Sequence, residues 1–287
     1  MIDYCMLYVV ATPIGNLMDI SYRAVDILQH VDLIVAEDTR HSQILLKHYN
    51  INTKMISLHE HNEKQIIDKI LVLLQQGQKI AVISDAGTPL ISDPGYHLVK
   101  SAHLAKIPVT PIPGASAAVA AISVSGLATD QFIFIGFLPV KLPQKQKALL
   151  DLSLEQRTMI FFESPHRVLE TVDCMQKAFH LDRAATFCRE LTKKFETIVP
   201  DNLNNIYNFI NNDKVNQTKG EIVLVVAGAT QQKIEAVGSI DPKIHEMLKI
   251  LLNELPITKA ASVAAKITGV SKKILYNYCL SNLSSGY

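Results

Sequence analysis

The residues of this 287-residue chain that can do chemistry gather in short polar segments, each placed after an apolar run. Thr12-Pro13-Ile14-Gly15-Asn16 and Ser84-Asp85-Ala86-Gly87-Thr88-Pro89 mix Gly and Pro with hydroxyls and a carboxylate. That composition suits tight turns and close backbone approach to a ligand. Asp85 reads either as a turn aspartate or as an acceptor for a ligand hydroxyl or amine. Asp93, ahead of Pro94 and Gly95, reads as a helix N-cap. Pro113-Gly114-Ala115-Ser116-Ala117 opens a helix with tiny residues, which serves either carboxylate binding by free backbone N–H groups or close helix packing. Between Cys188 and Glu196, five charged side chains and the Thr192 hydroxyl follow a strand pattern. Such a run is either a solvated face or a substrate cradle. Glu37-Asp38-Thr39-Arg40 and Glu163-Ser164-Pro165-His166-Arg167 close strands in the same manner.

Several chemistries lose support. No GxGxxG or GxxxxGK[ST] occurs, which argues against dinucleotide and P-loop nucleotide binding. His59-Glu60-His61-Asn62 lacks the HExxH spacing and no CxxC exists, so no metal site is expected. The four cysteines are expected to be buried small hydrophobes.

These segments need elements to position them. Strand patterns at 6–11, 33–36, 54–58, 79–84 and 109–112 alternate with helix patterns at 20–30, 41–49, 63–75 and 96–105. This alternation predicts a mostly parallel sheet covered by helices, with ligands at the carboxyl ends of its strands. The Gly-Phe-Leu-Pro segment at 136–139 reads as a boundary. Strands at 158–162, 184–189, 196–199 and 221–227, with helices at 165–179 and 203–211, predict a second α/β unit. The first of those helices would carry Pro165 in its opening turn. From 241 the texture is helical only: 243–252, then 258–268, Gly269 and 271–280 read as a helix-turn-helix with Ser271 as N-cap. The expected domains are 1–125, 126–236 and 237–287.

With 48% hydrophobic residues, wholesale disorder is excluded, and the length suits two domains at about 150 residues each. A net charge of +1 argues against polyanion binding by bulk field. The average conceals an asymmetry: residues 241–287 carry six lysines against three acids, while 1–240 carry 22 basic against 24 acidic residues. No stretch suits a bilayer span or a secretory leader, so a cytoplasmic protein is expected.

Taken together, LYVVATPIGNLMDIS, VAEDTRHS, LHEHNE, VISDAGTPLISDPG, PIPGASAAVAA, GFLP, FFESPHRV, CRELTKKFET and KGEIVLVVAG resemble the tetrapyrrole methylase superfamily. They most resemble its RsmI branch, the small-subunit ribosomal RNA 2′-O-methyltransferases. The resemblance implies two α/β domains with a cofactor cleft between them, a small C-terminal helical extension, S-adenosylmethionine as cofactor, and a homodimer. By motif position it implies cofactor contacts from Pro13, Ile14, Gly15, Asp85, Gly87, Thr88, Ser116, Ala117, Phe162 and Leu191. The substrate it implies is a cytidine in the decoding centre of small-subunit rRNA, within the assembled 30S particle. Transfer to a weakly acidic hydroxyl favours positioning and a nearby charge. Lys193, Glu196, Arg189 and Glu190 are expected to form that polar wall. Asp38, Arg40 and His61 are expected to hold the nucleotide, and Lys272 and Lys273 on the basic tail to grip phosphate.

Two rival readings follow from the residues. One is a methylase of a small tetrapyrrole or corrinoid precursor. The other is a ligand-sensing regulator that binds DNA through its C-terminal helices.

Overall fold

In the computed structural model, residues 6–58, 63–230 and 242–283 are described, and they divide into two compact units. The first comprises residues 1–124 with 188–198 and 220–223; the second comprises 125–187, 199–219 and 224–287.

The first unit is built on β-branched and aliphatic runs buried on both faces, the condition for a parallel sheet. Strands β1 (Met6–Val10), β2 (Leu33–Ala36), β3 (Met55–Ser57), β4 (Lys79–Ile83) and β5 (Val109–Ile112) pair in the order β3-β2-β4-β1-β5. All four pairings are parallel. The period of two divides each strand between two cores. Val35, Ile80 and Val82 face one way, with Ile70, Leu74 and Leu98 from α3 (Glu63–Gln75) and α4 (Tyr96–Leu104). Ile34, Ala81 and Ile83 face the other, with Ala24, Leu28 and Leu46 from α1 (Tyr22–His30) and α2 (Thr39–His48). Helix α5 (Ala117–Val124) follows β5. The sheet is therefore doubly wound, and its carboxyl-end loops lie beside one another where β1 and β4 are neighbours.

The second sheet has the order β6-β7-β10-β8-β9. Its strands are β6 (Phe132–Phe137), β7 (Thr158–Glu163), β8 (Ala184–Arg189), β9 (Thr197–Asn202) and β10 (Ile222–Val226). β6 and β7 run parallel. Ala227 N donates to Ala184 O and Glu190 N to Glu221 O, so β8 and β10 run in opposite directions. Helices α6 (Leu142–Asp151), α7 (Val168–Phe179), α8 (Leu203–Asn212) and α9 (Lys214–Gln217) accompany this sheet. The Lys145 side chain is fully buried and satisfied: its Nζ donates to Glu170 Oε1 at 2.6 Å and Thr171 Oγ1 at 3.0 Å. Thr171 in turn donates to the buried Glu163.

The C-terminal helices α10 (Pro242–Glu254), α11 (Ile257–Thr268) and α12 (Lys272–Asn282) enclose a small core of Leu248, Ala261, Ala264, Leu275 and Cys279. Gly269 takes φ +73° to end α11, as a turn glycine must.

Three expectations are corrected, and a fourth, Ser271 as N-cap of α12, holds in position without its side-chain bond. Asp93 is not the N-cap of α4; Gly95, at φ +117°, holds that position. Pro165 lies in a turn ahead of α7, which begins at Val168. The segment 136–139 does not separate domains: Gly136 and Phe137 belong to β6, where a register shift between Phe134 and Gly136 disrupts the alternation a strand would show.

Candidate functional site

The two Gly/Pro loops are joined backbone to backbone. Thr12 N donates to Gly87 O at 2.8 Å and Gly87 N returns to Thr12 O at 3.0 Å. The buried Thr12 hydroxyl also donates to Ser84 O at 3.2 Å. Gly87 sits at φ +79°, where a Cβ would come within 3.2 Å of Ile14 Cγ2 and 3.7 Å of Ala115 O. Thr88 Oγ1 donates to Ala115 O at 3.1 Å and so draws the β5–α5 loop to the same place. Gly114 supports the packing reading: a Cβ there would meet Ala11 Cβ at 2.9 Å. Ser116 and Ala117 stand at the opening of α5. Leu90 and Ser92, at φ +72° and +68°, add left-handed backbone to the loop after β4, the kind of local strain that collects at functional sites.

Between these loops and the first turns of α2 lies a cavity of about 260 Å³. Pro13, Ile14, Gly15 and Asp85 line it, as do His41, Ser42, Ile44 and Leu45 of α2, and Lys193 and Glu221. The Lys193 stem passes directly over Gly15, where a Cβ would fall 2.4 Å from its Cγ and 2.6 Å from its Cε. Its ammonium is held by Glu190 Oε1 at 2.8 Å and Glu221 Oε2 at 3.0 Å. Burial works against the charge on Lys193, but these two carboxylates outweigh it and raise its pKa above the ordinary lysine value. Burial likewise opposes the charge on Glu190, yet the Lys193 ammonium and the Glu221 amide keep its carboxyl below the ordinary value. The pair is thus fixed as ammonium and carboxylate.

The loop that carries Lys193 is braced from within. Arg189, buried, donates through Nη2 to Phe195 O and Thr197 Oγ1, both at 3.0 Å. Glu196 accepts from Thr192 N at 2.7 Å. Glu190 and Thr192 hold φ +52° and +66°. Leu191 is buried. Of the expected polar wall, Lys193 reaches the cavity, Glu190 holds its ammonium, and Arg189 and Glu196 shape the loop.

A carboxylate cluster flanks the cavity at the ends of β2 and β4. Asp38 N donates to Asp85 Oδ1 at 3.1 Å. Glu37 has a raised pKa, from burial first and then from the charges of Asp93 and Asp85. Asp93 is also raised, by burial and by Asp85, against a hydrogen bond from Ser84. Asp38 itself caps α2 and chelates Arg40, whose hydrogen bond holds its carboxyl at about 2. No group of His, Cys, Asp and Glu suited to a metal occurs among the described residues.

The remaining expected residues lie elsewhere. His61 falls outside the described residues. Phe162 belongs to the second unit, where its ring packs edge-on against Phe134 at 4.8 Å and Phe137 at 5.7 Å. Lys272 and Lys273 are exposed at the start of α12, also in the second unit; Lys273 lines a groove with Asp151 and Glu155. On the same helix as these lysines, Tyr278, which was not among the expected contacts, is engaged in the helical core, its hydroxyl 2.8 Å from His245 Nδ1. Sequence reasoning missed Ser42, His41 and Glu221. Ser42 carried a readable signal, a hydroxyl on the buried stripe it shares with Leu45 and Leu46.

Comparison with known proteins agrees with this layout. Residues 6–207 match the tetrapyrrole (corrin/porphyrin) methylases, and residues 238–283 match the RsmI C-terminal HTH domain. A protein of Pasteurella multocida named ribosomal RNA small subunit methyltransferase I is 48% identical over 279 residues, covering 97% of this chain and 98% of its own. Its namesake from Escherichia coli O157:H7 is 46% identical, over 96% and 94%. Among solved structures, the cobalt precorrin-4 methyltransferase CbiF shares the fold at a TM-score of 0.57, with 16% identity over 78% of this chain and 95% of its own. Diphthine synthase does so at 0.58, with 15% identity over 78% and 90%. The chain belongs to the tetrapyrrole methylase family, in the branch that ends in the RsmI C-terminal helix-turn-helix domain.

Proposed function

We propose that the protein methylates the ribose 2′-hydroxyl of a cytidine in the decoding centre of small-subunit rRNA, with S-adenosylmethionine as donor. The observation that carries this reading is the likeness, over nearly the whole chain, to proteins named ribosomal RNA small subunit methyltransferase I. The geometry supports it: a cavity of about 260 Å³ beside the Gly/Pro loops suits one nucleoside.

The residues fit such a donor, because Gly87 leaves open a cradle between Ile14 and Ala115 that any Cβ would fill. Gly87, Thr88, Ser116 and Ala117 would hold it, beside Pro13, Ile14, Gly15, Asp85 and Leu191. The donor supplies an electrophilic methyl group. Lys193 remains an ammonium under its two carboxylates, so its role is to stabilise negative charge on the accepting oxygen, not to take the proton. Glu190, Arg189 and Glu196 position it. Asp38 and Arg40 stand at the start of α2, beside the cavity, as nucleotide contacts, and Lys272 and Lys273 grip phosphate. The substrate is the assembled 30S particle, met by a cytoplasmic homodimer. Among the described residues no helix is long and apolar enough to cross a membrane.

The test is incubation of the protein with methyl-labelled S-adenosylmethionine and either undermethylated small subunits or free tetrapyrrole precursors. Label is expected in the rRNA alone; label only in a tetrapyrrole overturns the reading. Removal of residues 241–287 is expected to weaken small-subunit binding more than donor binding. Equal loss of both would contradict a phosphate grip.

A further inference from the structure

Phe195 is 67% exposed, an unfavourable placement for a large side chain with no polar atom. Single exposed apolar residues are common on proteins, so exposure alone decides nothing. What sets this ring apart is how and where it is held. The buried Arg189 guanidinium donates through Nη2 to the Phe195 carbonyl at 3.0 Å, and the Thr197 hydroxyl donates to the same oxygen at 3.3 Å. On the way to it, Lys193 N donates to Glu190 O at 3.0 Å and Glu196 N to Lys193 O at 3.1 Å. The backbone under Phe195 is thus fixed from inside, while the residue stays open to solvent.

The surroundings narrow what the ring can meet. Lys194 Nζ lies over it, 5.6 Å from the centroid, within reach of a cation–π contact. The other cations of the loop are engaged, Lys193 by Glu190 and Glu221, and Arg189 by oxygens of Phe195 and Thr197. Among the described residues no carboxylate pairs with Lys194. Glu196, the adjacent acid, is turned back onto the Thr192 amide at 2.7 Å. Exposed charged residues at 194 and 196 flank Phe195 in the chain, whereas the core of a stable subunit interface is depleted of charge. A flat apolar face beside an unclaimed positive charge matches a strand of unpaired nucleotides, each offering a base to stack and a phosphate to neutralise. Phe195 also follows Lys193 by two residues, a span of at most about 7 Å between Cα atoms.

We propose that Phe195 is the stacking platform for an unpaired base of the rRNA strand beside the accepting nucleotide, and that Lys194 meets a phosphate of the same strand. This rests on the function proposed above and deepens it, naming a contact with the RNA that is separate from the donor loops. A strand held on Phe195 is carried past the Lys193 ammonium, where its neighbouring ribose is to react.

The chain has no Trp, so Phe195→Trp places a single indole at this position, and its emission reports stacking directly. Phe195→Trp, Phe195→Leu and Phe195→Ala are compared with the unsubstituted protein in steady-state methylation of undermethylated small subunits, with each substrate varied in turn. Thermal midpoint and sedimentation velocity are measured alongside. Phe195→Ala and Phe195→Leu should both raise KM for the small subunit about tenfold, within the range for loss of one stacked base. Leucine keeps the apolar surface without the π face, so its loss of affinity separates stacking from general apolar contact. KM for S-adenosylmethionine should stay within twofold, and the midpoint should not move, because the side chain is exposed. Phe195→Trp should restore KM for the small subunit, and added small subunits should quench its emission. An unaltered KM for the small subunit in Phe195→Leu overturns the proposal, as does indole emission that small subunits leave unchanged. A rise in KM for the donor alone would assign the ring to the donor site and also overturn it. So would a smaller sedimenting species for Phe195→Ala, which would assign the ring to a contact between subunits. If the unsubstituted protein methylates no rRNA, the proposed function fails and this proposal with it; methylation that the substitutions leave unaltered defeats this proposal alone.

Discussion

The contact between Gly15 and the Lys193 stem gives the sharpest mutational prediction. In Gly15→Ala the new Cβ would lie 2.4 Å from Lys193 Cγ and 2.6 Å from its Cε, where ordinary contact begins at 3.4 Å. The stem must therefore retreat by about 1 Å, as the difference between those distances requires. The ammonium moves with it, away from Glu190 and Glu221, now at 2.8 and 3.0 Å. The flexible stem can yield, so the fold should lose only about 1 kcal/mol, the scale of a partly exposed ion pair. Activity should fall much further, because a misplacement of about 1 Å at a reacting centre can cost about 100-fold. The assay is a double-mutant cycle on kcat/KM for methyl transfer, using Gly15→Ala, Lys193→Ala and the pair. In the Lys193→Ala background the obstacle is gone, and adding Gly15→Ala should cost less than threefold. If Gly15→Ala costs the same with and without Lys193, the reasoning is refuted.

Other consequences follow from the same geometry. Gly87→Ala forces a Cβ into a φ of +79° and to within 3.2 Å of Ile14, and should cost about 1–2 kcal/mol in urea unfolding. Lys145→Ala should cost about 3 kcal/mol, since it strips the partner from Glu170 and Thr171, whereas Lys145→Met keeps the apolar stem and should cost less. Glu190 has a folded-state pKa below the ordinary 4.5, so its stabilisation is complete above that pH and is lost as the pH falls through the lowered value. The stability gap between the unsubstituted protein and Glu190→Gln should therefore close as unfolding is measured from pH 6 down towards about 3. Burial pushes the Cys188 thiol up to about 12, so alkylation of that residue at pH 8 should await unfolding.

Much of this was legible in the sequence because strand-end chemistry in a parallel sheet is local. A β-branched run followed by Gly, Pro and Asp marks a carboxyl-end loop, and the loops at 12–16 and 84–89 both reach the cavity. Where side chains do two jobs, the sequence misled. Asp93 has every local feature of an N-cap, but Gly95 reaches the φ of +117° that the start of α4 demands, and Asp93 joins the carboxylates instead. Arg189 and Glu196 look like active groups by charge alone, yet their bonds run to Phe195, Thr197 and the Thr192 amide. Ser42 and Glu221 escaped notice for a different reason. Their neighbours at the cavity lie far along the chain, so only folding brings Ser42 and Glu221 to the wall that Gly15 and Lys193 share. β6 was lost because Gly136 shifts its register and breaks the period of two.

The central claim is that the methyl group goes to a ribose oxygen. A 2′-O-methyl group removes the internal nucleophile that alkali uses to cleave RNA, so one band drops out of an alkaline hydrolysis ladder. Small subunits lacking the modification, treated with this protein and S-adenosylmethionine, should yield rRNA with one new gap, at a cytidine in the decoding centre. A labelled rRNA with an unbroken ladder would put the methyl on a base and contradict the account.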